Sequence, residues 1–366
     1  MERFTDCFSD LEDPRGPNAL HDLTELLFIA LLATLCGATG CCDMALFGRI
    51  KEGLLRSVLT LKFGLPSHDT FSRVFRMLEP RAFEAAFQRF MEAFSAQLKL
   101  EQATGVIAID GKALRCAYEK GKSHMPALMV TAWGAQTRMA LANALAEDGG
   151  EAAAARSLLE LLQLKDCVVT ADALHCRRDT AQAIIARKGD YVLGLKDNQP
   201  KLLAAAKATI GKARRNKAEP PALRKELSHG RKESREAFIV SAGAVAEELD
   251  FPGLQAFAMI RSKRGPDKTV ERYYLLSRPY RPVQLLTIAR EHWGIENRLH
   301  WTLDVLLDED LARNRKDNAP ANLAILRRLA LNIARAHPDT KTSMRGKLKR
   351  AGWDESFMFD MLTNMR

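Results

Sequence analysis

Two aspartates follow short apolar stretches of the kind that form buried β-strands. Asp110 ends the segment GVIAID at 105–110, and Asp172 follows the run CVVTA at 167–171. A carboxylate beside strands this apolar is partly desolvated, and a buried charge is costly unless a cation or several hydrogen-bond donors compensate it. The two aspartates are therefore predicted to share a cation. For Asp110, which precedes Gly111, a turn or helix-capping role is the alternative.

Helical periodicity places a third acid. Apolar residues recur from residue 285 at alternating steps of four and three, with a glutamate at the centre of the stripe. The stripe consists of Leu285, Ala289, His292, Glu296, Leu299, Leu303 and Leu306. Because a glutamate turned towards an apolar core costs free energy, Glu296 is predicted to bind something there, whereas Glu291 lies off the stripe.

Three oxygen-donor acids without soft ligands suit a hard divalent cation. Carboxylates, water and the phosphate oxygens of a substrate are the usual ligands of Mg²⁺ and Mn²⁺. A pair of such ions activates water or a hydroxyl group on one side of a phosphodiester and stabilises the leaving oxygen on the other. Asp110, Asp172 and Glu296 therefore predict phosphodiester chemistry with two Mg²⁺ or Mn²⁺ ions.

The charge of the chain favours a polyanionic partner. Lys and Arg number 55 against 45 Asp and Glu in 366 residues, a net charge of +10. The first forty residues carry a net charge of −5, whereas 196–235 carries +8 and 311–350 carries +9. A solvated helix face is the alternative explanation for either basic segment alone.

Composition excludes several protein classes. The chain is 47% hydrophobic and 27% charged, which is typical of a globular protein and not of a fibrous or disordered one. Its seven cysteines include no C-x-x-C pair, which argues against a structural zinc site with paired cysteine ligands. The apolar run at 26–36 is too short to span a membrane and follows acids instead of the basic start of a signal peptide. A cytoplasmic protein without membrane contact is predicted.

The elements that must position the acids fall into two parts. Residues 1–100 are predicted to be helical, and Phe83, Phe87, Phe90 and Phe94 form a stripe that predicts core packing. The predicted helices are 22–36, 41–58, one over about 68–78 capped by Ser67, and one beginning at Pro80. The turn followed by a helix at 64–78 is typical of a helix-turn-helix, in which Arg73 and Arg76 would face DNA. Any helical bundle also contains such turns.

From residue 104 onwards, strand-like runs alternate with helices, which predicts an α/β sheet. A basic helix, a polar turn region at 216–232 and three strand-like runs occupy about 200–280. They separate two parts of the catalytic core and are interpreted as a β-rich insertion. Two long helices at 282–310 and 318–336 follow, and 338–366 is predicted to be a basic helical tail.

A zinc site is a competing interpretation of the glutamate helix. His292, Glu296 and His300 follow one another at intervals of four residues and share one side of a helix. Cysteine ligands at a suitable spacing are absent, so the two histidines are predicted instead to orient the glutamate or to contact DNA.

These segments together resemble the DDE transposases of bacterial insertion sequences, specifically the ISAs type that includes the H-repeat-associated proteins. The likeness covers nearly the whole chain, and its motifs occur in the family's order. They are LEDPRGPNALHDLTELLFIALLATLCGATG and GLPSHDTFSRVF near the N-terminus, IAIDGKALR at the first acid, VVTADALHCRRDTAQAI and DYVLGLKDNQ at the second, HGRKESR in the insertion, and REHWGIENRLHWTLDVLLDED at the glutamate.

The resemblance implies an RNase-H-like core over 104–337 that uses Asp110, Asp172 and Glu296 as its DDE acids. The 124 residues from Asp172 to Glu296 then contain the insertion. Wider relatives often have Tyr, Arg and Lys at seven before, four before and seven after the glutamate, where this chain has Ala289, His292 and Leu303. The missing phosphate contact must come from other side chains if the enzyme is active. The candidates, chosen by proximity along the chain, are Arg290, Arg298, Arg313 and Arg315.

The function predicted from all of this is metal-dependent cleavage and strand transfer of an insertion sequence. The substrate is double-stranded DNA, both at the element ends and at the target, and a bacterial protein of this kind associates with the nucleoid. The helical region 1–100 is predicted to bind DNA ends, to dimerise, or both, and two ends held together require a homo-oligomer. A transposase-derived DNA-binding protein without transposition activity and a metal-dependent nuclease are the alternatives.

Overall fold

A computed structural model of the protein describes residues 2–97, 105–117, 126–147, 150–216, 221–228, 231–265 and 267–363. None of the helices in these ranges is both long and apolar enough to cross a membrane.

The N-terminal part is helical, as the sequence predicts. Its helices are α1 (Glu2–Phe8), α2 (Leu23–Leu35), α3 (Cys41–Ile50), α4 (Glu52–Arg56), α5 (His68–Met77) and α6 (Pro80–Gln97). Ser67 caps α5 as predicted, because its side-chain oxygen accepts a hydrogen bond from the Thr70 amide at 3.2 Å. The helix predicted over 41–58 is instead divided at Lys51, which ends α3 and precedes α4.

The phenylalanine stripe of α6 packs into the core. Phe83, Phe87 and Phe90 are buried, which confirms the prediction for these three, while the side chain of Phe94 lies outside the described residues. Phe83 and Phe90 contact the ring of Phe8, so α6 is joined to α1 through aromatic packing.

A nine-stranded sheet forms the centre of the described structure, in the order β3-β2-β1-β4-β5-β9-β8-β7-β6. Strands β1 (Val106–Ala113), β2 (Leu128–Gly134) and β3 (Met139–Leu145) are antiparallel, and β4 (Val168–Ala171) and β5 (Asp190–Leu195) run parallel to β1. This succession of three antiparallel strands followed by two parallel ones is the RNase-H-like arrangement. The remaining strands are β6 (Ala222–Ser228), β7 (Arg231–Ser241), β8 (Ala256–Arg264) and β9 (Val270–Leu276).

Helices cover both faces of the sheet. One face is packed by α7 (Gly150–Leu161), α8 (Arg178–Ala186) and α9 (Pro200–Arg215), and the short α10 (Ala244–Leu249) lies against α9. The other face is packed by α6, α11 (Pro282–His292) and α13 (Ala319–Ala336). The apolar strands β1 and β4 therefore lie between two helical layers, as parallel strands require.

The insertion is part of the same sheet. Strand β9 pairs with the core strand β5 in antiparallel fashion, and β8, β7 and β6 add to it in turn. The polar turn region predicted at 216–232 is wrong in part, because it contains all of β6. This strand carries Arg224, Lys225 and Glu226 at the outer edge of the sheet, where charged residues are tolerated, so its sequence lacks an apolar strand pattern.

The C-terminal part contains the glutamate helix, the central helix and a folded tail. The helix predicted over 282–310 is broken into α11, a π-helical turn (Ile295–His300) and α12 (Trp301–Leu307). Residues 344–363 form α14 (Met344–Trp353) and α15 (Glu355–Thr363), which pack against α13. The buried Lys347 donates hydrogen bonds to the carbonyl oxygens of Ala334 and His337, so this basic segment closes the end of α13.

Candidate active site

The two aspartates lie at the same end of neighbouring parallel strands. The pairing of β1 with β4 ends at Ile109 and Ala171, and Asp172 follows β4 directly. Asp110 is predicted to end its strand, but it lies inside β1 instead, because β2 continues to supply hydrogen-bond partners and pairs Asp110 with Thr131. Asp110 is thus the first residue of β1 beyond the parallel ladder, next to the position that Asp172 occupies on β4.

Asp172 also caps a turn. Its Oδ1 accepts a hydrogen bond from the Leu174 amide at 2.9 Å, at the start of the 3-10 turn Ala173–His175. Capping was the alternative to a site role for these aspartates. Asp172 does both, because it caps the turn and its charge also acts on Asp110. The turn fixes the direction in which the carboxylate leaves the sheet.

Glu296 lies on the π-helical turn and is exposed. The prediction that it faces the apolar core is wrong, because hydrogen bonds in a π-helix span five residues instead of four and shift the buried positions. The core-facing residues are Ile295, Leu299, Leu303 and Leu307. The π-turn therefore turns Glu296 outwards while the helix keeps a continuous apolar face.

Three other acidic side chains interact electrostatically with Asp110. Burial, together with the negative charges of Glu296, Asp172 and Glu151 in that order of importance, raises the pKa of Asp110 to about 7. Burial also raises the pKa of Glu296. The three acids selected from the sequence, far apart along the chain, therefore lie near enough for the charges of two of them to act on the third. Glu151 is a fourth acid that the sequence interpretation missed.

The two histidines of the glutamate helix contact other residues of the site. His300 Nδ1 lies 3.8 Å from Asp110 Oδ2, and burial, with the nearby charges of Arg328 and Lys112, lowers the pKa of His300 to about 3. His292 Nδ1 is 3.0 Å from Thr170 Oγ1, and burial lowers its pKa to about 4. Both rings are therefore neutral at physiological pH, in contact with β1 and β4.

The donor set fits a hard divalent cation. Asp110, Asp172, Glu296 and Glu151 offer carboxylate oxygens whose mutual repulsion a cation would offset. Within the described ranges, no group of three or more His, Cys, Asp or Glu side chains is arranged to hold a metal ion. The zinc site considered for His292, Glu296 and His300 is accordingly not formed.

A buried ionic network lies beside Asp110. Lys112 Nζ is 2.7 Å from Asp304 Oδ1 and 2.6 Å from Asp310 Oδ1. The fully buried Arg328 of α13 places Nη1 2.8 Å from Glu309 Oε1 and donates through Nε to the Thr131 hydroxyl at 3.1 Å. Asp304 and Glu309 therefore neutralise cations of this network.

The predicted DNA-contact arginines have different surroundings. Arg73 is exposed on α5, whereas Arg76 pairs with Asp317 at 2.7 Å. Arg290 pairs with Glu226 of β6. Arg313 and Arg298 are exposed, and Arg298 lies on the π-turn. Arg315 donates a hydrogen bond through Nε to the Cys116 carbonyl oxygen at 2.8 Å.

Arg298 belongs to a cluster of arginines that the sequence interpretation missed. Nη2 of Arg335, on α13, donates to the Arg298 carbonyl oxygen at 2.6 Å. Burial lowers the pKa of both Arg298 and Arg335, and the charge of Arg138, in the turn between β2 and β3, lowers both further. Within the described part of the chain none of these three arginines forms an ion pair. We call Arg138, Arg298 and Arg335 the arginine cluster.

Comparison with known protein families gives two matches that together span most of the chain. A family described as the transposase DDE domain matches residues 101–333, and the DDE_Tnp_1-associated family matches residues 5–91. The first of these matches contains all three predicted acids.

Relatives with full-length similarity are transposase-like proteins. The putative transposase YncI of Escherichia coli O157:H7 is 31% identical over 100% of this chain and 95% of its own length. The H repeat-associated putative transposase YhhI of Escherichia coli K12 is 30% identical over 93% of this chain and 92% of its own length. A solved piggyBac transposase synaptic complex with hairpin DNA has a TM-score of 0.45 and 12% identity over 100% of this chain and 77% of that one, which adds no weight to the assignment. By its family matches and its full-length relatives, the chain belongs to the DDE transposases and specifically to the group of the H-repeat-associated proteins.

Proposed function

We propose that Asp110, Asp172 and Glu296 are the catalytic and cation-binding acids of this transposase. The observation that most directly supports the proposal is that the charges of Asp172 and Glu296 both act on the Asp110 carboxyl at one end of the parallel ladder. DDE transposases generally use divalent metal ions, and for this chain we propose two Mg²⁺ or Mn²⁺ ions held by these carboxylates. When bound, such ions activate the attacking oxygen and stabilise the leaving oxygen of the phosphodiester.

The chain's own groups prepare this site. Asp110 is held on a paired strand, and Asp172 is oriented by its hydrogen bond to the Leu174 amide. The neutral His300 ring lies 3.8 Å from Asp110 Oδ2 and brings no positive charge that would compete with a cation for this carboxyl. The ionic network around Lys112 fixes β1 to α12 and α13, which limits the movement of Asp110 relative to the glutamate helix.

The proposed partner is double-stranded DNA. The arginine cluster offers three guanidinium groups that form no ion pair among the described residues, next to the π-turn that carries Glu296, and guanidinium groups suit phosphate recognition. The exposed Arg73 and Arg313 are further candidates for backbone contacts. We propose that the helices of 1–100 bind element ends or mediate dimerisation, that a homo-oligomer holds two ends together, and that the protein works on the nucleoid in the cytoplasm.

Replacing each acid with alanine tests the proposal. The Asp110→Ala, Asp172→Ala and Glu296→Ala variants should lose cleavage of element ends, and joining of pre-cut ends, by roughly a thousandfold or more, because each removes a catalytic group. Affinity for the same DNA should change little. Glu291→Ala is the matched control, since Glu291 lies one turn earlier and contacts Gln136 at the surface.

Cleavage by the Glu296→Ala protein at the wild-type rate would contradict the assignment of the third acid. Cleavage of ends without any joining of pre-cut ends would instead identify a nuclease.

A further inference from the structure

Glu151 reaches the active site from an element that the sequence interpretation did not connect with it. It lies in the first turn of α7, next to the sheet, and its carboxylate rests on the backbone of Gly111. A Cβ atom added to Gly111 would overlap Glu151 Oε1 and lie only 2.7 Å from its Cδ. Only a glycine beside Asp110 leaves room for this carboxylate.

A buried histidine holds Glu151 in this place. His175 has no exposed surface, and its Nε2 is 3.2 Å from Glu151 Oε1. His175 ends the 3-10 turn that Asp172 caps. Glu151 is therefore in contact with the residue after Asp110 and hydrogen-bonded to the turn after Asp172, so it lies between the two aspartates.

A purely structural role does not account for the choice of a charged side chain. The N-terminus of α7 favours an acid, but this acid is placed where its charge repels that of Asp110. Glutamine would keep an oxygen acceptor for His175 without that repulsion. The repulsion between this fourth negative charge and Asp110 is offset when a cation occupies the site.

We propose that Glu151 is a positioning residue of the active site, which strengthens the binding of a divalent cation by Asp110 and Asp172 and is itself held in place by His175 and Gly111. This inference rests on the proposed function of the two aspartates. It adds to them a carboxylate that acts on the cation through its charge and through its contacts with both aspartate-bearing segments.

Two variants test the role of Glu151 by different routes. Glu151→Gln removes the charge, and Gly111→Ala keeps the glutamate but displaces its carboxylate from the site. Residues that support metal ligands typically change metal affinity by roughly 10- to 100-fold when they are replaced, so both variants should bind Mn²⁺ at least about tenfold more weakly than the wild type. Free Mn²⁺, measured by electron paramagnetic resonance during a titration of the full chain, gives the affinity directly.

The controls separate this role from folding. Glu160→Gln changes an exposed acid of the same helix and should leave Mn²⁺ affinity unchanged. In EDTA the Glu151→Gln protein should remain folded and unfold at or above the wild-type temperature, because the repulsion with Asp110 is removed, and its cleavage activity should recover at high Mn²⁺ concentration. In a Glu151→Gln background, Gly111→Ala should weaken binding little further, because both changes remove the same interaction.

Wild-type Mn²⁺ affinity, within twofold, in both Glu151→Gln and Gly111→Ala would overturn the inference. The Asp110→Asn variant distinguishes that outcome from a failure of the proposed function. If Asp110→Asn abolishes Mn²⁺ binding while both test variants retain it, only the role of Glu151 is wrong. If Asp110→Asn also binds Mn²⁺ normally, the cation site itself is wrong.

Discussion

At the scale of single residues, the charges of Glu296, Asp172 and Glu151, from three separate segments of the chain, all act on the Asp110 carboxyl. The apolar runs before Asp110 and Asp172 were sufficient to predict that these aspartates lie on neighbouring strands, whereas the periodicity around Glu296 placed it on the wrong face, and the catalytic role of the three acids stays a prediction. Glu151 and the arginine cluster were missed since their significance depends on which distant segments the sheet and α13 bring together. An acid at the start of an alanine-rich helix looks like an ordinary first-turn residue.

The arginine cluster leads to a prediction at this scale. Arg138→Ala and Arg335→Ala should each weaken binding of duplex DNA, and each should lower the slope of log affinity against log salt by about one if it neutralises one phosphate. Fluorescence anisotropy over a series of salt concentrations measures both quantities. Arg187→Ala, an exposed arginine at the end of α8, is the control. Unchanged affinity and slope in both cluster variants would exclude these side chains from the DNA contact.

At the scale of elements, the sequence predicted strands and helices well where apolar patterns were clear. The π-turn and β6 were not predicted for two different reasons. A π-turn leaves the residue types of an amphipathic helix unchanged and alters only their hydrogen bonding, so an α-helical periodicity placed Glu296 on the wrong face. Strand β6 lies at the edge of the sheet, where pairing on one side allows a polar sequence.

Glu84 connects two elements and makes stability depend on pH. It lies on α6, and its Oε1 accepts a hydrogen bond from the Asn143 amide of β3 at 2.7 Å. Burial raises the pKa of Glu84 to about 7 from an ordinary value of 4.5, although hydrogen bonds from Gln88 and Asn143 lower it in part. The folded protein therefore holds a proton that the unfolded chain releases, so this contribution to stability is complete below about pH 4.5 and decreases as the pH rises to about 7.

Glu84→Gln should reduce this loss. Between pH 5 and pH 8, the free energy of unfolding of the variant should fall less than that of the wild type, by an amount on the order of 2–3 kcal/mol. Urea unfolding in EDTA at the two pH values measures the difference. Glu92→Gln, an exposed glutamate on the same helix, should behave like the wild type. A Glu84→Gln protein with the wild-type pH dependence would show that Glu84 titrates normally.

At the scale of the whole molecule, α13 joins the N-terminal helices to the sheet. Its residues from Ala319 to Ala334 are all buried, and it packs against α2, α5, α6 and β3. Asn322 donates to the carbonyl oxygens of Phe75 and Leu78, and Asn332 exchanges hydrogen bonds with the backbone of Ala140. One hydrophobic core therefore extends from the N-terminal helices through α13 to the catalytic strands.

This shared core predicts how a truncated chain behaves. A fragment of residues 104–366 exposes the apolar face that α13 presents to α2, α5 and α6, so it should not unfold cooperatively by itself. Adding residues 1–97 as a separate chain should restore a cooperative transition in thermal unfolding followed by circular dichroism. A fragment 104–366 that melts cooperatively at the temperature of the full chain would contradict this expectation.

The charged edge of the insertion has a consequence for assembly. An open sheet of nine strands ends in backbone groups that invite another chain to pair, which is the first step towards fibrils. In β6 that edge carries Arg224, Lys225 and Glu226, and Arg290 lies against Glu226. Charged side chains on an edge strand disfavour pairing with a second chain, so we expect this edge to resist aggregation through added strands.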